Sequence, residues 1–203
     1  MNKASILGRW ALGRWLAAIA IGVLGCGAGW AQQEKLHLRL DPAQTEVHFT
    51  LKTALHTVHG TFKMSAGAID FDPRTGQASG QIVVETGSGE SGNDSRDGKM
   101  KREYLEVPSF PVATFEVEHV NGYDAEKANQ KITVNGTMTL HGAKHALAME
   151  FALSPDGQTT VAATHFLIPY VAWGIKDPGN AFIHVEKEVL MEITARGSMA
   201  PGK

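Results

Sequence analysis

NDSRDGKMKREYLEVPSFPVATFEVEHV, residues 93–120, is the stretch in which the periodicity of the chain changes from helical to extended. Asp94 stands where a helix N-cap is expected, and Asp97 three positions later completes a capping-box pattern for the first unpaired amides. Met100, Tyr104 and Leu105 then share one face at helical spacing. Pro108 and Pro111 end the helix, since proline has no amide hydrogen and disfavours helix in the residue before it. From there the period is two: Phe115 and Val117 point one way, Glu116 and Glu118 the other. A single short helix feeds a strand, and it reads as a lid or plug on a sheet.

Outward from this stretch almost everything alternates. Upstream, strands are expected over 37–40, 46–51, 58–63, 67–71 and 79–85, with turns at Asp41-Pro42 and over 72–76. The segment 86–92, TGSGESG, has the composition of a loop leading into the helix. Downstream, Ile132, Val134, Met138 and Leu140 share a face, as do Leu147, Met149, Phe151 and Leu153. His141-Gly142-Ala143 joins these two runs into the clearest hairpin. Asp156-Gly157 marks the next turn, residues 159–168 form its partner, and a last strand covers 185–195. Roughly eight to ten sequential strands favour antiparallel pairing, and so long a sheet must close or split to hide its edges. The expected fold is therefore all-β: a single antiparallel barrel of about eight strands with one short helix inserted mid-chain. A two-sheet sandwich is the rival.

The chain has 203 residues, 43% of them hydrophobic, which suffices for one domain with a real core. Its formal net charge is −2, and it has no basic cluster to neutralise a phosphate backbone, so nucleic acid is a poor partner. Lys3, Arg9 and Arg14 flank a short apolar run over 15–24, followed by small residues up to Ala31; this is the pattern of a cleavable secretory leader. The run is about half the ~20 residues a membrane-spanning helix needs, so no integral span is expected. The reading is a signal peptide over 1–31 and one domain over 32–203, exported to the periplasm. The alternative is lipidation at Cys26, within Val23-Leu24-Gly25-Cys26. Cleavage after Ala31 would remove the only cysteine, and with it any thiolate or disulfide chemistry.

No nucleophile elbow, phosphate loop, dinucleotide fingerprint or zinc-helix motif is present. Nine histidines are the unusual feature. His56 and His59 lie on opposite sides of a strand unless it bends. His141 and His145 straddle a turn and can converge, but no third ligand is placed beside them. Surface or cavity-wall histidines are the plainer reading, and no cofactor is expected. Arg96-Asp97 reads either as a charged pair at a ligand mouth or as a structural device. In the second reading Asp97 favours the helix start and Arg96 clamps the preceding loop with paired hydrogen bonds.

Several of these segments together resemble the YceI-like family of lipid/polyisoprenoid-binding domains from bacterial periplasms. The resemblance is carried by Asp41-Pro42 before an alternating strand, Val58-His59-Gly60-Thr61-Phe62 and Phe71-Asp72-Pro73. It continues through Arg96-Asp97, Pro111-x-x-Thr114-Phe115, the run from Gly136 to Gly142 and Trp173-Gly174. It spans about residues 38–197. What it implies is a lipocalin-like barrel, non-enzymatic, holding an isoprenoid-type lipid or other long amphiphile in its lumen. The lumen wall is then expected from Phe49, Leu51, Phe71, Ile82, Val84, Phe115, Val117, Met149 and Phe151. Met100, Tyr104 and Trp173 are expected at the mouth. The rivals are a metal-binding module built on His141 and His145, and an interaction protein whose barrel is packed solid. The oligomeric state is left open, a dimer being one option.

Overall fold

A computed structural model describes residues 35–179, 181 and 183–202. The expected leader, and Cys26 with it, lies outside the described residues. The strands are β1 (Leu36–Leu40), β2 (Glu46–Lys52), β3 (Thr57–Phe71), β4 (Ala78–Glu90), β5 (Val112–Asn121), β6 (Gln130–Leu140), β7 (Ala143–Asp156), β8 (Thr159–Ile168) and β9 (Val189–Pro201). Helix α1 (Asp94–Lys99) lies between β4 and β5 and runs on into a π-helical turn, Met100–Tyr104.

Strands β2 to β9 follow one another around a closed ring, each antiparallel to its neighbours, with β9 returning to β2. The eight-stranded antiparallel barrel with one short helix is thus what the chain forms, and closure excludes the sandwich. β1 occupies the same stave as β2. Both lie between β3 and β9, β1 at one end and β2 at the other. A 3-10 turn, Pro42–Gln44, interrupts the stave, and Asp41 caps it by accepting the Ala43 amide at 2.9 Å.

Two expectations fail for one reason, the length of the staves. Residues 58–63 and 67–71 are a single strand, β3, with bulges that let it bend without ending. The stretch read as a loop, 86–90, is the last part of β4. Its glycines are there for space: a Cβ on Gly89 would lie 2.6 Å from Met100 Cε and 2.7 Å from Phe62 Cε1. The last strand also begins later than expected, at Val189, while Val185 makes an isolated bridge to Thr53.

Alternation places the apolar side chains inside. Along β7, Met149, Phe151 and Leu153 are buried while Glu150 and Ala152 are exposed. Each such side chain stabilises the fold by about 1.5–3 kcal/mol on burial. The buried residues form two clusters, one toward the helix end around Phe49, Met64 and Met191, the other toward the far end around Phe71, Phe115 and Phe151. Ile82, Met138 and Phe166 pack against both.

The staves are not joined equally. β6 and β7 are paired along eleven positions through the turn at His141-Gly142, where both residues have positive φ (51° and 78°), as a two-residue hairpin turn of this hand requires. β7 and β8 are paired along only five, from Asp156↔Thr159 to Ala152↔Ala163. Beyond that point the Thr164 hydroxyl donates to the Glu150 carbonyl at 2.6 Å, and no ladder pair follows. The β4–β5 ladder is interrupted too, but it resumes at the Gln77–His119 bridge.

Candidate functional site

The helix end is built from the loop before α1 upward. Asn93, not Asp94, is the N-cap, its side chain accepting the Arg96 amide at 3.0 Å. That frees Asp97 for a different task. It is 7% exposed and accepts the Ser91 amide at 2.9 Å and the Ser91 hydroxyl. Burial works against its ionised form, yet the hydrogen bonds from Ser91 and the nearby Arg96 charge hold its carboxyl below the usual range. Arg96 grips the same residue from the other side, with Nε on the Ser91 hydroxyl at 2.7 Å and an Nη on the Ser91 carbonyl at 2.8 Å. Arg96 is therefore a clamp, and its side chain also borders the lumen.

Residues 169–179 and 183–188 meet the same end of the barrel, Tyr170 lying near Tyr104. Tyr170 is buried and donates to the Glu186 carbonyl at 2.6 Å. Burial, reinforced by Asp177, Tyr104 and Glu186, pushes its pKa up to about 12, so the phenol keeps the proton it donates. The Ala54 amide donates to the His184 carbonyl at 2.9 Å, tying this segment to the β2–β3 turn.

Between these caps and the far end lies a cavity of about 480 Å³, within the few hundred to a thousand Å³ typical of small-molecule sites. Its lining is apolar along most of its length. Among the described residues no Asp or Glu borders it; the charged or ionisable bases that do, His56, Arg96 and Lys99, all belong to the helix end. Lys99 Nζ lies 5.8 Å from the Tyr104 ring centre and 4.0 Å from Glu103. At the far end Phe71 and Tyr123 meet edge to face at 5.0 Å, and the Tyr123 hydroxyl reaches Met199 Sδ at 3.4 Å. Among the described residues no large side chain is less than 2% exposed. The inward side chains thus front an open space, and the barrel is not packed solid.

Of the residues expected on the lumen wall, Phe49, Leu51, Phe71, Ile82, Val84, Phe115, Met149 and Phe151 border this cavity, as do Met100 and Tyr104. Val117 does not border it; it is 3% exposed and packs in the far cluster beside a bulge of β5, opposite Gly136. Trp173, expected at the mouth, packs against the helix-end cluster without bordering the cavity, its ring stacked on His145 with centres 4.1 Å apart and planes 3° apart. Val47, Met138, Phe166 and Met191 join the wall unexpected, although the same period-two rule points to them. Tyr170 and Ile175 also border it, from a segment with no period to betray them.

His141 and His145 do not form a metal pair. His141 packs on Phe110 at 4.3 Å with Glu106 3.7 Å away, while His145 faces Trp173. Among the described residues no three His, Cys, Asp or Glu side chains gather to hold a metal ion. Nor is any helix among them long and apolar enough to cross a membrane.

A family model described as the YceI-like domain matches residues 38–196. Among solved structures, BcnA of Burkholderia cenocepacia superposes with a TM-score of 0.65 at 19% identity, covering 79% of this chain and 99% of that one. A polyisoprenoid binding domain from Saccharophagus degradans, implicated in plant cell wall breakdown, gives 0.61 at 17% identity, covering 80% and 98%. The YCEI protein of Campylobacter jejuni gives 0.53 at 15%, covering 68% and 80%. No curated protein sequence matches. At these identities the structural matches establish the shared fold.

Proposed function

The chain belongs to the YceI-like family, and from that premise we propose that it binds an isoprenoid-type lipid or similar long amphiphile in the lumen, without catalysing a reaction on it. The observation that carries this reading is the 480 Å³ cavity bordered by apolar side chains from around the ring and, among the described residues, by no carboxylate. Apolar area removed from water contributes about 25 cal/mol per Å², so a long tail gains affinity from length and shape without a dedicated polar motif. The polyisoprenoid binding domain from Saccharophagus degradans, alike in fold, supports the choice of ligand class.

The ligand's polar head belongs at the helix end, where Arg96, Lys99, Tyr104 and His56 meet the lumen, and its tail runs toward Phe71. A non-enzymatic role is supported by the state of the hydroxyls near the head. The Ser91 hydroxyl is held between Asp97 and Arg96, and the Thr86 hydroxyl donates to the Phe110 carbonyl at 2.6 Å. The Lys3-to-Ala31 leader pattern supports the remaining part of the proposal, export to the cell envelope with residues 32–203 as the mature domain.

The test is native mass spectrometry on protein purified without detergent, with its organic extract analysed alongside. A bound, extractable lipid is expected. Ligand-free protein that also fails to take up a polyprenol or a quinone with an isoprenoid tail overturns the reading.

A further inference from the structure

A long tail needs a route into a barrel whose helix end carries α1 and residues 169–179 and 183–188, and whose far end carries the Phe71–Tyr123 contact. The wall itself offers one. Beyond Ala152↔Ala163, the remaining parts of β7 and β8 have no ladder pairing with each other, while β7 stays joined to β6 and β8 to β9. Parting them therefore breaks no ladder pair and costs the Thr164–Glu150 hydrogen bond.

The lips of this seam are mainly apolar: Ala146 and Ala148 are exposed on the outer face of β7, and Leu167 of β8 is 53% exposed. His165 of β8 is exposed beside Leu167, and its field reaches Glu150 across the seam. The ion pairs of β7 are made on its other flank: Lys144 with Glu116 on β5 at 3.8 Å, Glu150 with Lys131 of β6 at 2.8 Å. Just inside, Met149 and Phe166 already border the cavity. The end of the seam nearest the helix is closed by one contact, the Trp173–His145 stack. His145 Nε2 is buried there with no hydrogen-bond partner, so no polar bond holds the ring in place.

We propose that the tail of the amphiphile passes into and out of the lumen sideways, between β7 and β8, with the Trp173–His145 stack as the clasp. This rests on the lumen being the binding site and adds the route to it.

The test measures the uptake rate of all-trans-retinol, an isoprenoid alcohol whose fluorescence reports its surroundings, by stopped flow in the full chain carrying Cys26→Ser. Ala148→Cys with Leu167→Cys, bridged by a short bis-maleimide, should slow uptake and release together at least tenfold relative to the unbridged pair. Ala54→Cys with His184→Cys, bridged the same way across the axial rim, should leave both rates nearly unchanged. Trp173→Ala should speed uptake several-fold, and Trp173→Phe, which keeps a stacking ring, should restore the original rate. The route is overturned if the bridged rim slows retinol and the bridged seam does not, or if Trp173→Ala leaves the rate where it was. A chain that takes up no retinol in any form overturns the binding reading, and the route falls with it.

Discussion

Along its β6 side β7 is zipped through eleven residue pairs, whereas along its β8 side the ladder stops after five. The same residues, with the same alternation, serve both flanks, and both hairpins begin in tight turns. Strand propensity therefore does not explain the difference. The side chain that explains it is Thr164, which faces inward and is 6% exposed. A buried hydroxyl needs a partner, and it takes the Glu150 carbonyl, an acceptor the ladder would otherwise use. Past that point β8 keeps to β9, and the turn over 169–175 reaches back to β7 through Trp173. One flank is built to hold, the other to yield.

The largest expected effect falls on β6, the strand that holds the zipped flank of β7, through its far side on β5. A Cβ on Gly136 of β6 would lie 2.1 Å from the Glu116 carbonyl oxygen and 2.8 Å from Phe115 Cζ. Backbone cannot retreat from such a contact cheaply. Gly136→Val should cost about 3 kcal/mol or more, read from chemical denaturation.

Thr164→Val is a gentler test, aimed at the yielding flank. It removes the donor and leaves the Glu150 carbonyl to find another, so stability should fall by about 1–2 kcal/mol. Amide exchange of β7 should quicken on its β8 side only. An increase in stability would mean that the released Glu150 carbonyl is taken up by a longer β7–β8 ladder that outweighs the lost hydrogen bond.

The smallest effect sharpens the comparison by lying outside it. Asp97 is ionised more readily in the folded chain than in the unfolded one, for which a carboxyl near pH 3.9 is the reference. Its contribution is present above that pH and is lost as pH falls through the lower folded value. Acid should therefore loosen the Ser91–Asp97–Arg96 knot below about pH 4 while β7 keeps its unequal flanks. Asp97→Asn should be less stable at neutral pH and should flatten that part of the acid profile. Asp72, Asp124 and Glu150 are also held below the usual range, by Arg74, by the Glu126 amide with Lys127, and by Lys131. They are solvent-screened and contribute little.

Much of this was legible in the sequence. Phe49, Phe71, Phe115, Met149 and Phe151 mark the inner face of their strands because strand geometry turns every second side chain to one side, wherever the strand ends up. His141-Gly142 announces its hairpin, and Pro108 the end of its helix. The errors have physical causes as specific as the successes. Asn93 outcompetes Asp94 for the cap once Asp97 is drawn to Ser91. The glycines of 86–90 looked like a loop because glycine in a strand and glycine in a turn are the same letter; only the approach of Met100 and Phe62 shows why they stand there. Val117 and Phe115 are equivalent in the pattern, and a bulge separates their fates.

What the sequence by itself determined is the alternation, the turns, and hence sequential antiparallel strands with one apolar face, in a sheet that must close or split. Whether that face meets itself or encloses a space, which inward residue is core and which is wall, and where the wall is weakest were decided only by tertiary structure. The reason is that periodicity is a local property, set within a few residues. A cavity and a seam depend on how far apart two distant stretches are held, and that distance is fixed by bulges, by one buried hydroxyl, and by the ring closing on itself.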